Sequence, residues 1–358
     1  MEKGDSQATN RERTVLAVIV SYKSSALVKN LLVSLASERT AVAARNLTLR
    51  AVVIDNASGD FDPIQGWVTG SGNQDWITVI SAPRNGGFAY GNNLGFRHGF
   101  ESATVPDFFF LLNPDTEVRG GAIRALVDFL DRHDDAGVVG SSLELQGGRP
   151  WSYAFRFPSL LSELDHGLRL GLVSRLLRKY AVARAMGNLP EQVDWFPGAS
   201  MMLRRQVIED VGGMDETYFL YYEETDFCRK TKAAGWTTWY VPESRVMHIA
   251  GQSTGVTGDQ EGTKRLPAYW FESRRRYFLK NHGLPYAMAT DAVLLWAYFL
   301  GQAKEVFKGQ LHPGVPRFAR DLLRHTVLRK SNQTLAPTQD WNPSQGEGRD
   351  LAPSRPHA

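Results

Sequence analysis

The stretch "FFFLLNPDTEV", Phe108 to Val118, sets five large apolar residues in a row, then Asn113 and Pro114, then Asp115 and Glu117 on either side of Thr116. A short continuous apolar run bounded by turn residues fits a strand covered on both faces. In an open parallel sheet the ligand crevice lies beyond the carboxyl ends of the strands. Acid groups just past Leu112 therefore stand where chemistry is expected. Hard oxygen ligands there suit Mg²⁺ or Mn²⁺ bridging a diphosphate. The competing reading is a helix N-cap, because Asp115 or Thr116 stands shortly before "GGAIRALVDFL".

Working outward, "VLAVIV" (15–20) and "LTLRAVVI" (47–54) are β-branched apolar runs, with a helical-period segment at 26–35 between them. "WITVISA" (76–82) precedes a Gly- and Asn-rich turn and a helix, and residues 120–132 and "AGVVGSSLEL" (136–145) read as another helix and strand. Strands alternating with helices predict an α/β fold with a mostly parallel sheet and right-handed crossovers. From Pro158 to Met186 leucines at helical spacing share the chain with Arg169, Arg175, Arg178, Lys179 and Arg184. Two readings stay open for it: a basic amphipathic helix on an anionic membrane surface, or a helix packed on the domain with a solvated face. "YWFESRRRYFLKNHG" (269–283) is an aromatic and arginine-rich helix. Residues 284–300 are apolar but interrupted by Pro285 and Asp291, which predicts an interfacial or packed helix rather than a spanning one. "RFARDLLRHTVLRK" (317–330) is a last basic amphipathic helix. The tail from Ser331 has the composition of a disordered segment.

With 41 basic and 38 acidic residues the net charge is +3, too small to argue for a nucleic-acid partner. One cysteine, Cys228, permits no internal disulfide and fits a reducing compartment. The polar start carries no secretory signal, so a cytoplasmic location is the expectation. Nothing in the composition sets an oligomeric state.

Further candidates lie at other segment ends. "YYEETDFCRK" places Glu223, Glu224 and Asp226 within four residues, and buried like charges so close raise a carboxyl pKa as general acids and bases require. A solvated helix face carries such clusters too. Asp55 and Asn56 end the second strand. Asp55 there either accepts the imide N–H of a uracil or thymine or makes an ordinary turn. "RNGGFAYGNNLGF" (84–96) offers backbone for close approach to a phosphate or sugar, although neither a dinucleotide fingerprint nor a P-loop is present. His248 ends a strand-like run as a structural residue or a ligand.

Taken in order, "VIVSYKS", "VVIDNAS", "NGGFAYGNNLGF", "LLNPDTEV", "FPGASMMLRR", "VGGMDETYFLYYEETDFCRKTKAAGW" and "VPESRVMHIAGQST" resemble the inverting family 2 glycosyltransferases, in the rhamnosyltransferase-like branch of cell-surface polysaccharide synthesis. The resemblance covers residues 15–283. It implies a GT-A fold: a Rossmann-like, mostly parallel mixed sheet flanked by helices, with a C-terminal helical extension. The expected organisation is a flexible 1–13, a domain over 14–283 made of a nucleotide-binding half (14–119) and an acceptor half (120–283, with the basic insert 158–186), membrane-associated helices over 284–330, and a disordered 331–358. Carried over, Ser21, Tyr22, Asp55, Asn56, Asn85, Gly86, Asn92, Asn93, Asn113, Asp115, Gly198, Ala199 and Ser200 bind the nucleotide and donor sugar. Asp115 holds Mg²⁺ or Mn²⁺, with His248 as second ligand because the metal motif is Asn-Pro-Asp here. Glu224 is the base and Glu223 the fallback, in a Glu-Glu pair where the family uses Glu-Asp. Arg204 or Arg205 pairs with an acceptor phosphate or with the acidic cluster. The partners implied are a nucleotide sugar, with dTDP-rhamnose the best match, a lipid-linked saccharide and the inner face of the cell membrane. The alternative is a catalytically silent scaffold subunit, against which the intact acids speak.

Overall fold

The computed structural model describes residues 12–44, 46–145, 147–149, 151, 153–168, 170–249, 265–307, 315–325 and 341–343. The first elements follow the predicted alternation, β1 (Arg13–Ser21), α1 (Ser25–Ala43), β2 (Leu47–Asp55), β3 (Ile77–Ser81), α3 (Gly87–Glu101) and β4 (Phe108–Leu112), with a further helix, α2 (Phe61–Gly70), between β2 and β3. After β4 come β5 (Thr116–Val118), α4 (Ala122–Arg132), β6 (Ala136–Glu144), β7 (Tyr153–Phe155), α5 (Leu160–Leu168) and α6 (Gly171–Leu176). The rest is β8 (Ala183–Ala185), β9 (Glu191–Val193), β10 (Ser200–Arg204), α7 (Arg205–Val211), α8 (Glu223–Ala233), β11 (Thr237–His248), α9 (Ala268–His282), α10 (Leu284–Phe307) and α11 (Phe318–Arg324).

The main sheet runs β3-β2-β1-β4-β10-β6-β11-β5, with β9 on β11. Its first four strands are parallel, β10 is antiparallel to both β4 and β6, and β6 and β11 are parallel again. This is the mixed sheet expected of a GT-A fold. β4 lies near its middle, and its side chains alternate between two cores. Phe108, Phe110 and Leu112 join the layer of α1 and α4, while Phe109 and Leu111 join the layer of α3, α7 and α8. Both faces being covered explains the unbroken apolar run, each buried Phe or Leu contributing about 1.5–3 kcal/mol.

Three expectations change. Asp115 and Thr116 cap no helix: Thr116 opens β5, and α4 starts later, at Ala122. The cap of α4 comes from α1, where the buried Glu38 accepts from Gly121 N at 2.7 Å and Ile123 N at 3.1 Å. Residues 158–186 form no continuous amphipathic helix but α5, α6, a 3-10 turn and β8. Gly167 lies so close to Ala297 and Tyr298 of α10 that a Cβ there would clash, and α5 ends at the next residue, Leu168. Of the tail expected to be disordered, residues 341–343 are described. Trp341 packs on Phe100 with ring centroids 5.4 Å apart and accepts from Gly213 N through its carbonyl. The remaining tail and residues 1–11 lie outside the described residues.

Candidate active site

Parallel pairing brings Ser21, Asp55 and Ser81 into register at one edge, and Leu112 pairs beside Ile19. The polar residues there divide into two groups. Ser21, Asp55, Asn56, Asn92 and Asn93 are buried and shape the loops. Ser21 Oγ and Ser24 N both donate to Asp60 Oδ2 at 2.7 Å. Asp55 accepts from Ser58 N, Ser58 Oγ and Phe61 N, so in this structure its carboxylate serves the turn into α2. Asn56 Nδ2 donates to Asn85 Oδ1 and Gly87 O, fixing the Gly-rich loop on the end of β2. Gly87 needs its missing side chain there: its φ is +86° and a Cβ would collide with the Phe219 carbonyl. Asn93 bonds Met214 N, Met214 O and Glu216 Oε1, which makes it a clamp between α3 and the 212–216 loop rather than a group open to a donor sugar. Asn92 keeps Oδ1 buried without a hydrogen-bond partner among the described residues. The second group is at least partly exposed: Tyr22, Asn85 and Asn113.

Asp115 and His248, far apart in sequence, meet here. β5 pairs antiparallel with β11 so that Thr116 faces His248, and His248 Nε2 stands 3.3 Å from Asp115 Oδ1. Both side chains are largely buried, and Asp115 Oδ1 has no proper hydrogen-bond donor among the described residues. A carboxylate oxygen without a hydrogen-bond donor among the described residues, facing an imidazole nitrogen at 3.3 Å, suits a divalent cation between them. Among the described residues no group of three or more His, Cys, Asp or Glu surrounds such a point.

One strand away stands the acid pair. Because β10 is antiparallel to β4, its first residue, Ser200, pairs with Leu112, and Asn113 N donates to Ala199 O at 3.4 Å. Gly198 N then donates to Glu224 Oε1 at 2.9 Å. Ser200 itself turns inward, its hydroxyl on Ser141. Glu223 and Glu224 open α8 behind Tyr221 and Tyr222, both at positive φ, an unusual pair for residues with side chains. Glu223 is 1% exposed and its Oε2 lacks a partner among the described residues, whereas Glu224 is partly open. Burial, then the neighbouring Glu224 charge, pushes the Glu223 carboxyl well above the ordinary range. Burial also raises Glu224.

Asp226, the third acid of the cluster, is not free for chemistry. It accepts from Lys280 Nζ at 2.7 Å and Asn281 Nδ2 at 2.7 Å. Lys280 also reaches Asp215 Oδ2 at 2.9 Å, which Arg276 Nη2 contacts at 2.7 Å. Ser273 Oγ holds Leu220 O, and Tyr269 and Tyr277 lie against Phe219, Tyr221 and Tyr222. One face of α9 thus clasps the whole 215–226 segment. Asp215, Arg276 and Lys280 went unread in the sequence, although basic residues four apart in an aromatic helix were the available signal. Arg204 and Arg205 do not approach the acids: Arg204 donates to the carbonyls of Ala136 and His133, and Arg205 pairs with Glu209.

A family model described as "Glycosyltransferase like family 2" matches residues 12–264. The chain belongs to this family. Asp115, Gly198, Glu224 and His248 of this family 2 member all fall inside the match, and the α9 clamp falls beyond it. The chain is 32% identical over 152 residues to an N-acetylglucosaminyl-diphospho-decaprenol L-rhamnosyltransferase of Mycobacterium tuberculosis, covering 42% of this chain and 50% of that one. It is 24% identical over 166 residues to rhamnosyltransferase WbbL of Escherichia coli, covering 46% and 61%. The matched part is thus about half to three-fifths of these relatives' length. Among solved structures, a mannosyltransferase of Pyrobaculum calidifontis in complex with GDP-Man and Mn²⁺ aligns with a TM-score of 0.49 and 16% identity, over 88% of this chain and 79% of that one.

Proposed function

We propose that this chain is an inverting, metal-dependent glycosyltransferase that moves rhamnose from dTDP-rhamnose to a lipid-linked saccharide in cell-surface glycan synthesis, at the cytoplasmic side of the membrane. The observation that carries it is the convergence of Asp115 and His248 within 3.3 Å, one strand from a Glu224 tied to the Gly198 backbone. Residues 14–119 form the nucleotide half, where Tyr22, Asn85 and Asn113 line the donor and Asp55 sets the base pocket. Residues 120–283 form the acceptor half. Asp115 and His248 hold Mg²⁺ or Mn²⁺, which supplies positive charge to the diphosphate leaving group. Family membership supports the transferase class, and two relatives named as rhamnosyltransferases support the sugar.

Glu224 takes the proton from the acceptor hydroxyl as that oxygen forms its bond to the anomeric carbon and the bond to the diphosphate breaks. A single displacement from the opposite face inverts that carbon. Gly198 N–H fixes one carboxylate oxygen and leaves the other for the proton. Glu224, reachable where Glu223 is sealed, is the better base. Burial, then the Glu224 charge, favours the protonated form of Glu223 beside it.

The test is release of nucleoside diphosphate from UDP-, dTDP- and GDP-sugars with Mn²⁺ or Mg²⁺ and polyprenyl-diphosphate-saccharide acceptors. Turnover of dTDP-rhamnose, lost in Glu224→Gln, is expected. Equal turnover by Glu224→Gln sinks the base assignment. Nucleotide binding without turnover of any donor favours the scaffold reading.

A further inference from the structure

Every exposed residue described between 284 and 306 on α10 is apolar, and together they recur every three or four positions, as one face of a helix does. Leu284, Met288, Trp296, Phe299, Leu300 and Val306 carry it, with Trp296 58% and Phe299 56% exposed. The opposite face is fastened to the domain. Ala287, Leu294 and Ala297 are buried, and Gly301 lies against the carbonyls of Gly167 and Leu168 at the end of α5. Arg274 of α9 pairs with Asp291 at 2.5 Å and Glu163 of α5 at 2.7 Å, all three buried. The segment Leu284–Lys304 is long and apolar enough to cross a bilayer. Spanning would tear Asp291 from Arg274 and leave a charge in hydrocarbon, so a position along the surface is the one that keeps this ion cluster.

The neighbouring elements repeat the pattern with charge added. α6 begins just past the point where α5 touches Gly301, and exposes Leu172 at 71% and Leu176 at 72% beside the exposed Arg175, Arg178 and Lys179. No acidic residue occurs between Asp165 and Glu191. α11 packs on α10 through Phe318 and Tyr298, and exposes Arg317, Arg320 and Arg324. An apolar stripe with exposed bases on the two neighbouring helices, and no exposed acid on α6, α10 or α11 among the described residues, matches the layered chemistry of an anionic lipid surface.

We infer that the outer face of α10, with Leu172 and Leu176 of α6, is the surface by which this protein lies on a membrane of anionic lipid, the bases of α6 and α11 contacting headgroups. The inference deepens the lipid-linked acceptor reading, yet its test requires no catalysis. The full chain is sedimented with sucrose-loaded phosphatidylcholine vesicles, with or without 30% phosphatidylglycerol, alongside Phe299→Asp/Leu300→Asp and Arg175→Glu/Arg178→Glu/Lys179→Glu. Wild type should bind the anionic vesicles and release in high salt. Both variants should partition at least tenfold more weakly with unchanged Tm, the altered side chains being exposed, and wild type should be monomeric by light scattering. Failure of wild type to bind, or tight binding by Phe299→Asp/Leu300→Asp, overturns the inference. A wild-type dimer that this variant splits overturns it as well and assigns the face to a second copy. Nucleoside diphosphate release onto a water-soluble acceptor should be the same in these variants, which separates this surface from the transferase reading.

Discussion

Lys280→Met should destabilise the protein through the two acids it bridges. Lys280 Nζ stands 2.9 Å from Asp215 and 2.7 Å from Asp226, and both carboxylates are almost fully buried. Removing one partner of a buried ion pair costs about 3–5 kcal/mol. The Lys280 side chain is 25% exposed, Asp215 keeps Arg276 and Asp226 keeps Asn281, so about 2–3 kcal/mol is expected. At about 2.1 cal/mol/K of unfolding entropy per residue, each kcal/mol moves Tm by about 1–1.5 °C in a chain of 358 residues, which puts the fall at about 2–5 °C. Burial alone would raise Asp215, but Lys280 and Arg276 outweigh it and hold the carboxyl below its ordinary value. Burial would lower Lys280, and the two acids outweigh it to raise the ammonium. Stabilisation by the depressed acid is complete above its unfolded pKa and fades as pH falls through the folded one; that of the raised lysine fades only in strong base. The gap between wild type and variant should therefore be level from about pH 5 to about pH 8. Calorimetry over that range measures it, and Asp226→Asn in the same background should restore part of the loss. A fall under about 1 °C, or a loss that Asp226→Asn leaves untouched, would refute the electrostatic clasp.

Glu223→Gln tests the sealed acid. A carboxyl raised in the fold loses stability as pH climbs from its unfolded value through its folded one, so the variant should equal wild type near pH 4 and exceed it at pH 8 by on the order of 1 kcal/mol. Urea midpoints at the two pH values decide; a variant weaker at pH 8 contradicts the account. Gly198→Ala adds a Cβ that overlaps the Phe88 ring and comes 3.2 Å from Glu224 Oε1. It should lower kcat by roughly 10–100-fold by displacing the base, with a smaller change in donor KM. An unchanged kcat would detach Gly198 from the chemistry. Asp115→Asn and His248→Ala should each weaken Mn²⁺ binding in the presence of dTDP at least tenfold by paramagnetic resonance titration. Undiminished binding in either removes that ligand.

The strands were legible because β1, β2 and β4 are covered on both faces, which leaves an unbroken apolar run as their signature. The pairing of Asp115 with His248 was legible as an expectation from resemblance, and the β5–β11 ladder supplies its physical cause. β5 itself was missed because three residues, "TEV", carry no period and the adjacent glycines suggested a helix start. The burial of Ser21, Asn93 and Ser200 was illegible too: a polar residue in a recognised motif reads the same whether it faces a ligand or holds a loop from behind. Lys280 and Arg276 were hidden for a related reason. Their partners, Asp226 and Asp215, lie in a different segment, and only the packing of α9 on α8 brings them together.

The reversal at β10 ties these observations into one device. A parallel strand between β4 and β6 would begin at the far edge of the sheet and leave nothing beside Asn113. Antiparallel β10 begins at the carboxyl edge, so the two residues before it, Gly198 and Ala199, bring little or no side chain next to the loop at Asn113. Gly198 then faces two ways: it has no room for a side chain against Phe88, and its N–H grips Glu224. Glu224 is presented to that N–H by a turn with two tyrosines at positive φ, which α9 holds through Ser273, Arg276 and Lys280. Strain at Tyr221 and Tyr222 is therefore offset by a helix outside the sheet, and loosening that helix should loosen Glu224 before it unfolds the strands.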